Sequence, residues 1–322
     1  MSQLSRRMFL AAAVVAGVAL GSPAALAQKY PSKPITMIIP LGAGGSHDLN
    51  ARVMTSVLPS YLGQPVVVQL MPGASGRIGT AAAAKAKPDG YTLLFTHNFI
   101  DELQQHVTKL PYKPNKDFVV VARTNYAPPS LVVRSDSPYK TLKDLLDAAK
   151  KNPGKIKFGH SGNWGATMVP GAALLQAAGV KMTLVPYKGG GPAMRGLLSG
   201  DVDFTIAFPS VITSQGDKVR TLVTLADKRV FKDVPTSGEL GFPNVASIAT
   251  MQRVVLAPAG IPNDRLAKLR EGFAKMSKDK TYMKLLQKLD ENDEFMSGDQ
   301  YEKMRMEQDK SYAELVKELT KK

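Results

Sequence analysis

The sequence predicts an α/β protein built as two lobes that close like a clamshell. Three observations predict it. Apolar runs rich in β-branched residues alternate with helical patterns, and such an order implies parallel strands joined by crossover helices. The alternation then restarts after a long extended stretch. Finally, Gly-rich turns recur where a strand passes into a helix.

In the first lobe Ile35–Pro40 reads as a buried strand and Leu49–Leu62 as an amphipathic helix. Val66–Leu70 is a strand, Gly76–Ala86 an Ala-rich helix and Tyr91–Thr96 a strand. Phe118–Val133 is the long extended stretch. Beyond it Thr141–Lys151 is a helix with Thr141 as N-cap. Ile156–His160 is a strand, Ala166–Ala178 a helix, Thr183–Tyr187 a strand and Pro192–Ser199 a short helix. Val202–Phe208, Val219–Ala226 and Val254–Ala257 complete the strands, and the chain is helical and charged from about Asn263. The crossings fall near 118–133 and 245–253. Residues 28–128 and 252–322 are thus expected in lobe 1, and 129–251 in lobe 2. The strand ends of both lobes then line one shared cleft.

Residues 1–27 read as a twin-arginine export leader. Ser5-Arg6-Arg7-Met8-Phe9-Leu10 precedes an apolar run ending at Leu20, too short to span a bilayer, and Ala25-Leu26-Ala27 supplies the small residues of a cleavage site. The expected mature chain starts at Gln28 and works in the periplasm, without stable membrane insertion. Whether the twin-arginine route is the one used is left open. The chain has no cysteine, which excludes thiol catalysis and thiolate metal sites.

The formal net charge is +15, and the leader's arginines account for two of it. Such a field attracts anions. The basic residues are dispersed, without an aromatic-interleaved run, so a nucleic-acid partner is not expected. Small anionic ligands fit better.

Four Gly-rich turns each lead into a helix: Pro40–Asp48, Pro72–Gly76, Gly159–Thr167 and Lys188–Pro192. Glycine lets the backbone approach a ligand, and a helix N-terminus offers free N–H groups and positive potential. Taken together the turns suggest a cleft of backbone donors suited to a small carboxylate. Tight strand-to-helix turns, with Asp48 as a plain cap, are the competing reading of each.

Enzyme readings are less well supported. Gly159-His160-Ser161-Gly162-Asn163 misses the closing glycine of a nucleophile elbow, and no histidine follows His160. Lys188 with its glycines does not complete a phosphate loop. His47, His97 and His160 each follow a strand aimed at the cleft, but their neighbours are not acids. They are read as hydrogen-bond donors or rim residues rather than a zinc site. No metal and no cofactor is expected. Arg77 opposes the dipole of the helix it begins. It either meets a second acidic group of the ligand or is a solvated surface arginine, and the sequence leaves both open.

The ordered motifs resemble the Bug-type extracytoplasmic receptors of tripartite tricarboxylate transporters over nearly the full length. They include Tyr30–Ile35, Pro40–Asp48, Gly63–Val68, Pro72–Gly76, Pro88–Leu94, Leu110–Tyr112, Asn152–Ile156, Val185–Ala193, Ser199–Asp203, Asp233–Thr236 and Leu256–Gly260. The resemblance implies a type II periplasmic-binding-protein clamshell that captures a small organic mono- or dicarboxylate and hands it to a two-subunit membrane permease. It implies no catalysis and a monomer. It also implies that Gly44, Gly45 and Asp48 of one loop, with Ser161, Asn163, Ala166 and Thr167 of another, grip the carboxylate. His47, Arg77, His97 and Phe208 complete the candidate ligand set. An exported hydrolase or isomerase acting on a carboxylate is the alternative. Leu41, His47, Gln69-Leu70-Met71, Arg77 and Met251-Gln252 depart from the family pattern near the ligand. The particular substrate therefore does not carry over.

Overall fold

Two separate β-sheets, each flanked by helices, organise the chain. A computed structural model describes residues 29–320, so the leader expected over 1–27 lies outside the described residues. Residues 29–32 belong to a separate N-terminal unit and carry no helix or strand; one compact unit runs from Lys33.

The first sheet begins β1 (Ile35–Ile39), α1 (Ser46–Val57), α2 (Pro59–Leu62), β2 (Val66–Leu70), α3 (Arg77–Ala84) and β3 (Thr92–His97). The helix expected over 49–62 starts earlier and is broken in two. Gly45 adopts the extended N-cap conformation ahead of Ser46, and Pro59, which has no N–H to donate, opens a new turn after Leu58. A π-helical turn, Phe99–Leu103, and the short α4 (Pro114–Asp117) lead to the crossing strand β4 (Phe118–Ala127).

The second sheet follows with β5 (Ser130–Arg134), α5 (Leu142–Lys151), β6 (Lys157–His160), α6 (Met168–Ala177), β7 (Thr183–Pro186), α7 (Gly190–Ser199), β8 (Phe204–Ala207), α8 (Pro209–Gln215) and β9 (Val219–Thr224). Thr141 caps α5 as expected. Its side chain takes the Asp144 N–H while the Asp144 carboxylate takes that of Thr141, a complete capping box. The chain returns through α9 (Pro243–Ala249) and β10 (Met251–Pro258). It ends with α10 (Asn263–Met276), α11 (Lys280–Gln287), the short β11 (Met296–Ser297) and α12 (Gly298–Thr320).

The sheets are mixed, where the strand–helix alternation predicts mostly parallel ones. Their orders are β11-β4-β10-β3-β1-β2 and β7-β6-β8-β5-β9. β1 is parallel to β2 and β3, and β6 to β7 and β8, as crossover helices require. The strands that link the sheets break the rule. β4 leaves and β10 returns, so they pair antiparallel from Met251↔Ala127 to Pro258↔Phe118. β5 likewise lies antiparallel to β8 and β9.

Each sheet buries its own apolar core, one around Ile38, Leu94 and Leu256, the other around Phe158, Leu174 and Phe204. A further cluster joins Phe99, Leu103 and Tyr312 to Ala166, Val169 and Phe208, bridging the two lobes.

Candidate functional site

The Gly-rich turns meet in pairs across the lobes. The Gly42 N–H donates to the Lys188 carbonyl at 2.9 Å. A Cβ on Gly191 would lie 2.2 Å from the Ala43 carbonyl oxygen, and one on Gly189 would lie 2.7 Å from the Gly42 nitrogen. At Gly162 a Cβ would approach Ser75 Oγ to 3.1 Å. These glycines thus serve contact between backbones of opposite lobes. The turns at 72–76 and 188–192 were expected as ligand cradles; of the two, only Gly190 reaches the cavity. The physical reason is that both turns are occupied by the facing lobe.

Between the paired turns lies a narrow cavity, with about 20 Å³ of room for a water-sized sphere. Of the predicted residues, it gathers Gly45, His47, His97, Ser161, Ala166, Thr167 and Phe208. No Asp, Glu, Lys or Arg lines it. The Leu49 N–H returns to the Gly45 carbonyl, so the N–H groups of the preceding turn of α1 are the free donors of a helix start.

Ser161 and Thr167 form a closed local unit. Thr167 Oγ1 accepts the Ser161 N–H at 2.8 Å and donates to Ser161 Oγ at 2.9 Å. Thr167 has then used its single proton, and the Ser161 hydroxyl keeps its own for another acceptor. The hydroxyl partner of Ser161 is a threonine and not a histidine, which leaves it without the base of a nucleophilic serine.

Two buried imidazoles stand side by side, His47 and His97, with ring centroids 5.2 Å apart. His47 Nε2 donates to the Thr96 carbonyl at 3.0 Å. Nδ1 of His97 has no hydrogen-bond partner. Burial first, and then His97 and Arg253, hold His47 well below the ordinary histidine range. Burial, with Arg253 second, lowers His97 to about 3. Both rings are therefore neutral near pH 7. His160 lies tilted against Phe158, with ring centroids 5.7 Å apart, and does not line the cavity. Among the described residues, no group of three or more His, Cys, Asp or Glu side chains is arranged to hold a metal ion.

Four predicted residues lie outside the cavity lining. Asp48 is buried and accepts the Gly44 N–H at 2.9 Å, with Arg52 paired to it at 3.1 Å. It holds the turn in shape. Gly44 and Asn163 are exposed. Arg77 donates to the Ala74 carbonyl at 2.8 Å and to Thr108 Oγ1 at 3.2 Å, in an outer groove with Lys85 and Lys109. A cation at this helix start is satisfied by the preceding carbonyl, so the reading in which Arg77 meets the ligand is not supported by its position.

The candidate ligand set omits Ser46, Ile206 and Val211, which also line the cavity, as does Met251, named above only as a departure from the family pattern near the ligand. Ile206 lies near the carboxyl end of β8, where the strand-end rule could have found it. Beneath the cavity Arg253 grips Glu291 through both terminal nitrogens at 2.8 Å, with neither side chain exposed. Glu291 also accepts the Ser210 N–H at 3.2 Å, which ties α8 of the second lobe to the first. Nothing in the local sequence announces this pair, whose partners are 38 residues apart.

Comparison with known proteins agrees with this architecture. The family model described as "Tripartite tricarboxylate transporter family receptor" matches residues 50–320. A UPF0065 protein of Cupriavidus necator is 33% identical over 326 residues, covering 98% of each chain. The solved structure of periplasmic binding protein BugD is 30% identical, with a TM-score of 0.85, covering 90% of this chain and 98% of that one. MatC from Rhodopseudomonas palustris, solved with bound malate, is 26% identical, with a TM-score of 0.82 over 89% of this chain and all of that one (100%).

Proposed function

The chain belongs to the tripartite tricarboxylate transporter receptor family, in its Bug branch, and from this we infer that it captures a small organic carboxylate between its lobes for delivery to a membrane permease. One observation carries the reading to this chain's own residues. The inter-lobe cavity joins the free N–H groups of a helix start to the unspent proton of Ser161. Backbone N–H groups and one hydroxyl suit a carboxylate and would leave a bulkier or cationic group unmatched. MatC holds malate, which supports a carboxylate here as well.

Gly45, His47, His97, Ser161, Ala166, Thr167 and Phe208 form the proposed ligand shell. Gly44 and Asp48 shape its loop, and Asn163 is exposed outside the lining. The proposed lobes are 28–128 with 252–322, and 129–251. Residues 1–27 are the proposed twin-arginine leader, which puts the mature protein in the periplasm. Among the described residues no helix is long and apolar enough to cross a membrane. The protein acts as a monomer, presents its ligand to a two-subunit permease, and performs no catalysis. The pairing of Ser161 with Thr167 supports that last point, because a nucleophile would need a base there.

A thermal-shift panel on refolded protein tests the reading. A carboxylate present at 100 times its dissociation constant stabilises by about 2.7 kcal/mol. Stabilisation by carboxylates, and by neither sugars nor DNA, is the expected result. A sugar or DNA hit without any carboxylate hit would overturn it.

A further inference from the structure

The cavity's polar groups are of two kinds, and this limits what can fill it. The first turn of α1 and Ser161 offer donors. The imidazoles of His47 and His97 line it as well. His47 spends its Nε2 proton on the Thr96 carbonyl, which fixes the tautomer. Its Nδ1 is then an acceptor, and no described residue donates to it. Ile206, Phe208, Val211 and Met251 give the rest of the wall its apolar surface, beside Gly190 at the start of α7 and Thr167, whose hydroxyl proton is spent on Ser161.

A second carboxylate would find no cation in the lining. The nearby guanidinium, on Arg253, has both terminal nitrogens bound to Glu291. Arg77 is occupied in the outer groove. An anionic group would instead face the lone pair of His47 with no positive charge to offset it, and a buried unpaired charge is costly. Burial and Arg253 keep both rings uncharged, so protonation does not supply the missing cation near neutral pH. An ammonium group fares no better, since no carboxylate lines the cavity. What the acceptor requires is a neutral donor.

We propose that the ligand is a short hydroxy-monocarboxylate, its carboxylate held by Ser161 and the first turn of α1 and its hydroxyl donating to Nδ1 of His47. This rests on the carboxylate reading above and narrows it. A site built to pair with a hydroxyl discriminates strongly against the analogue that lacks one, because its own polar atom is then left unpaired.

The test is calorimetric titration of the refolded mature protein with matched acids. The probes are propanoate, 2- and 3-hydroxypropanoate, 2-oxopropanoate, alanine and succinate, with butanoate and its 2- and 3-hydroxy forms. A hydroxy acid should bind more than about tenfold tighter than its unsubstituted, oxo, amino and dicarboxylate counterparts. Two variants locate the effect. His47→Gln can still donate to Thr96 but has no acceptor at the position of Nδ1, and the hydroxyl preference should collapse. His47→Asn returns an oxygen close to the position of Nδ1, and the preference should be retained in part. Succinate or an oxo acid binding as tightly as any hydroxy acid would overturn the proposal while leaving the carboxylate reading in place. So would a hydroxyl preference that His47→Gln leaves intact. Failure of every acid to bind would remove both readings. The wild-type panel decides even if neither variant folds.

Discussion

Thr167 accepts the Ser161 N–H at 2.8 Å and returns its own proton to Ser161 Oγ at 2.9 Å. The two hydroxyls therefore have different tasks. Ser161 is left with the proton that can reach a ligand, and Thr167, which is fully buried, fixes where that proton points.

Ser161→Ala should lose about 1.5–3 kcal/mol of carboxylate affinity, the worth of a hydrogen bond to a charged group, and should also lower the melting temperature, because the buried Thr167 hydroxyl loses its acceptor. Thr167→Val should lower both, because it strands the Ser161 N–H at a cost of about 1–3 kcal/mol. Titration and thermal unfolding of each variant check this. Equal affinity in wild type and Ser161→Ala would take the hydroxyl out of the site.

Closure depends on glycine at 191. A Cβ there would sit 2.2 Å from the Ala43 carbonyl oxygen, a backbone atom that cannot swing aside. Gly191→Ala should hold the lobes apart, weakening ligand binding by more than about tenfold, chiefly through faster dissociation. Small-angle scattering should show no ligand-induced compaction. Wild-type compaction and kinetics in this variant would show that the loops part without consequence.

The fold was legible because its signals are local. The β-branched runs, the capping box at Thr141 and the restart of the strand–helix order all lie within a few residues of their effect. Strand direction was not. Whether β10 runs with or against β3 depends on how the chain re-enters the sheet from the other lobe, which no window of sequence contains. The site divides in the same way. Glycine-rich turns could be found, but those that line the cavity and those that meet the opposite lobe share one sequence signature. Gly45 and Gly191 face each other across the lobes, yet only Gly45 also lines the cavity. Arg77 could not be placed for the same reason, since the direction of a side chain at a helix start depends on its tertiary neighbours. The Arg253–Glu291 pair joins distant segments and leaves no periodic trace.

The buried pair gives a stability prediction. Glu291→Gln leaves the Arg253 guanidinium buried without its counter-charge, and breaking such pairs costs about 3–5 kcal/mol. Denaturant unfolding should show the loss directly. A change below about 1 kcal/mol would mean that water reaches Arg253 once the carboxylate is gone.

Acid should expose the histidines. His97 keeps a folded pKa of about 3 against an ordinary value of 6.5. Above pH 6.5 it is neutral in both states and contributes no pH dependence. As pH falls below that value the unfolded chain takes up the proton first, so stability is lost progressively toward pH 3. The slope is about 1.4 kcal/mol per pH unit for this one group. The buried carboxyls Asp101 and Glu102, both raised by burial, act in the opposite sense, each adding stability as it protonates in the fold. The difference between wild type and His97→Phe isolates the histidine. That difference should narrow steadily from pH 6 to pH 4, and a constant difference would place the His97 ring in contact with solvent.

Calorimetric titration of the refolded mature protein with carboxylates, run beside Ser161→Ala, tests the central claim most directly. One-to-one binding of a small carboxylate in the micromolar range or tighter, weakened by about tenfold or more in the variant, is the predicted result. Carboxylate binding that Ser161→Ala leaves unchanged would put the ligand somewhere other than the inter-lobe cavity, and would contradict the account.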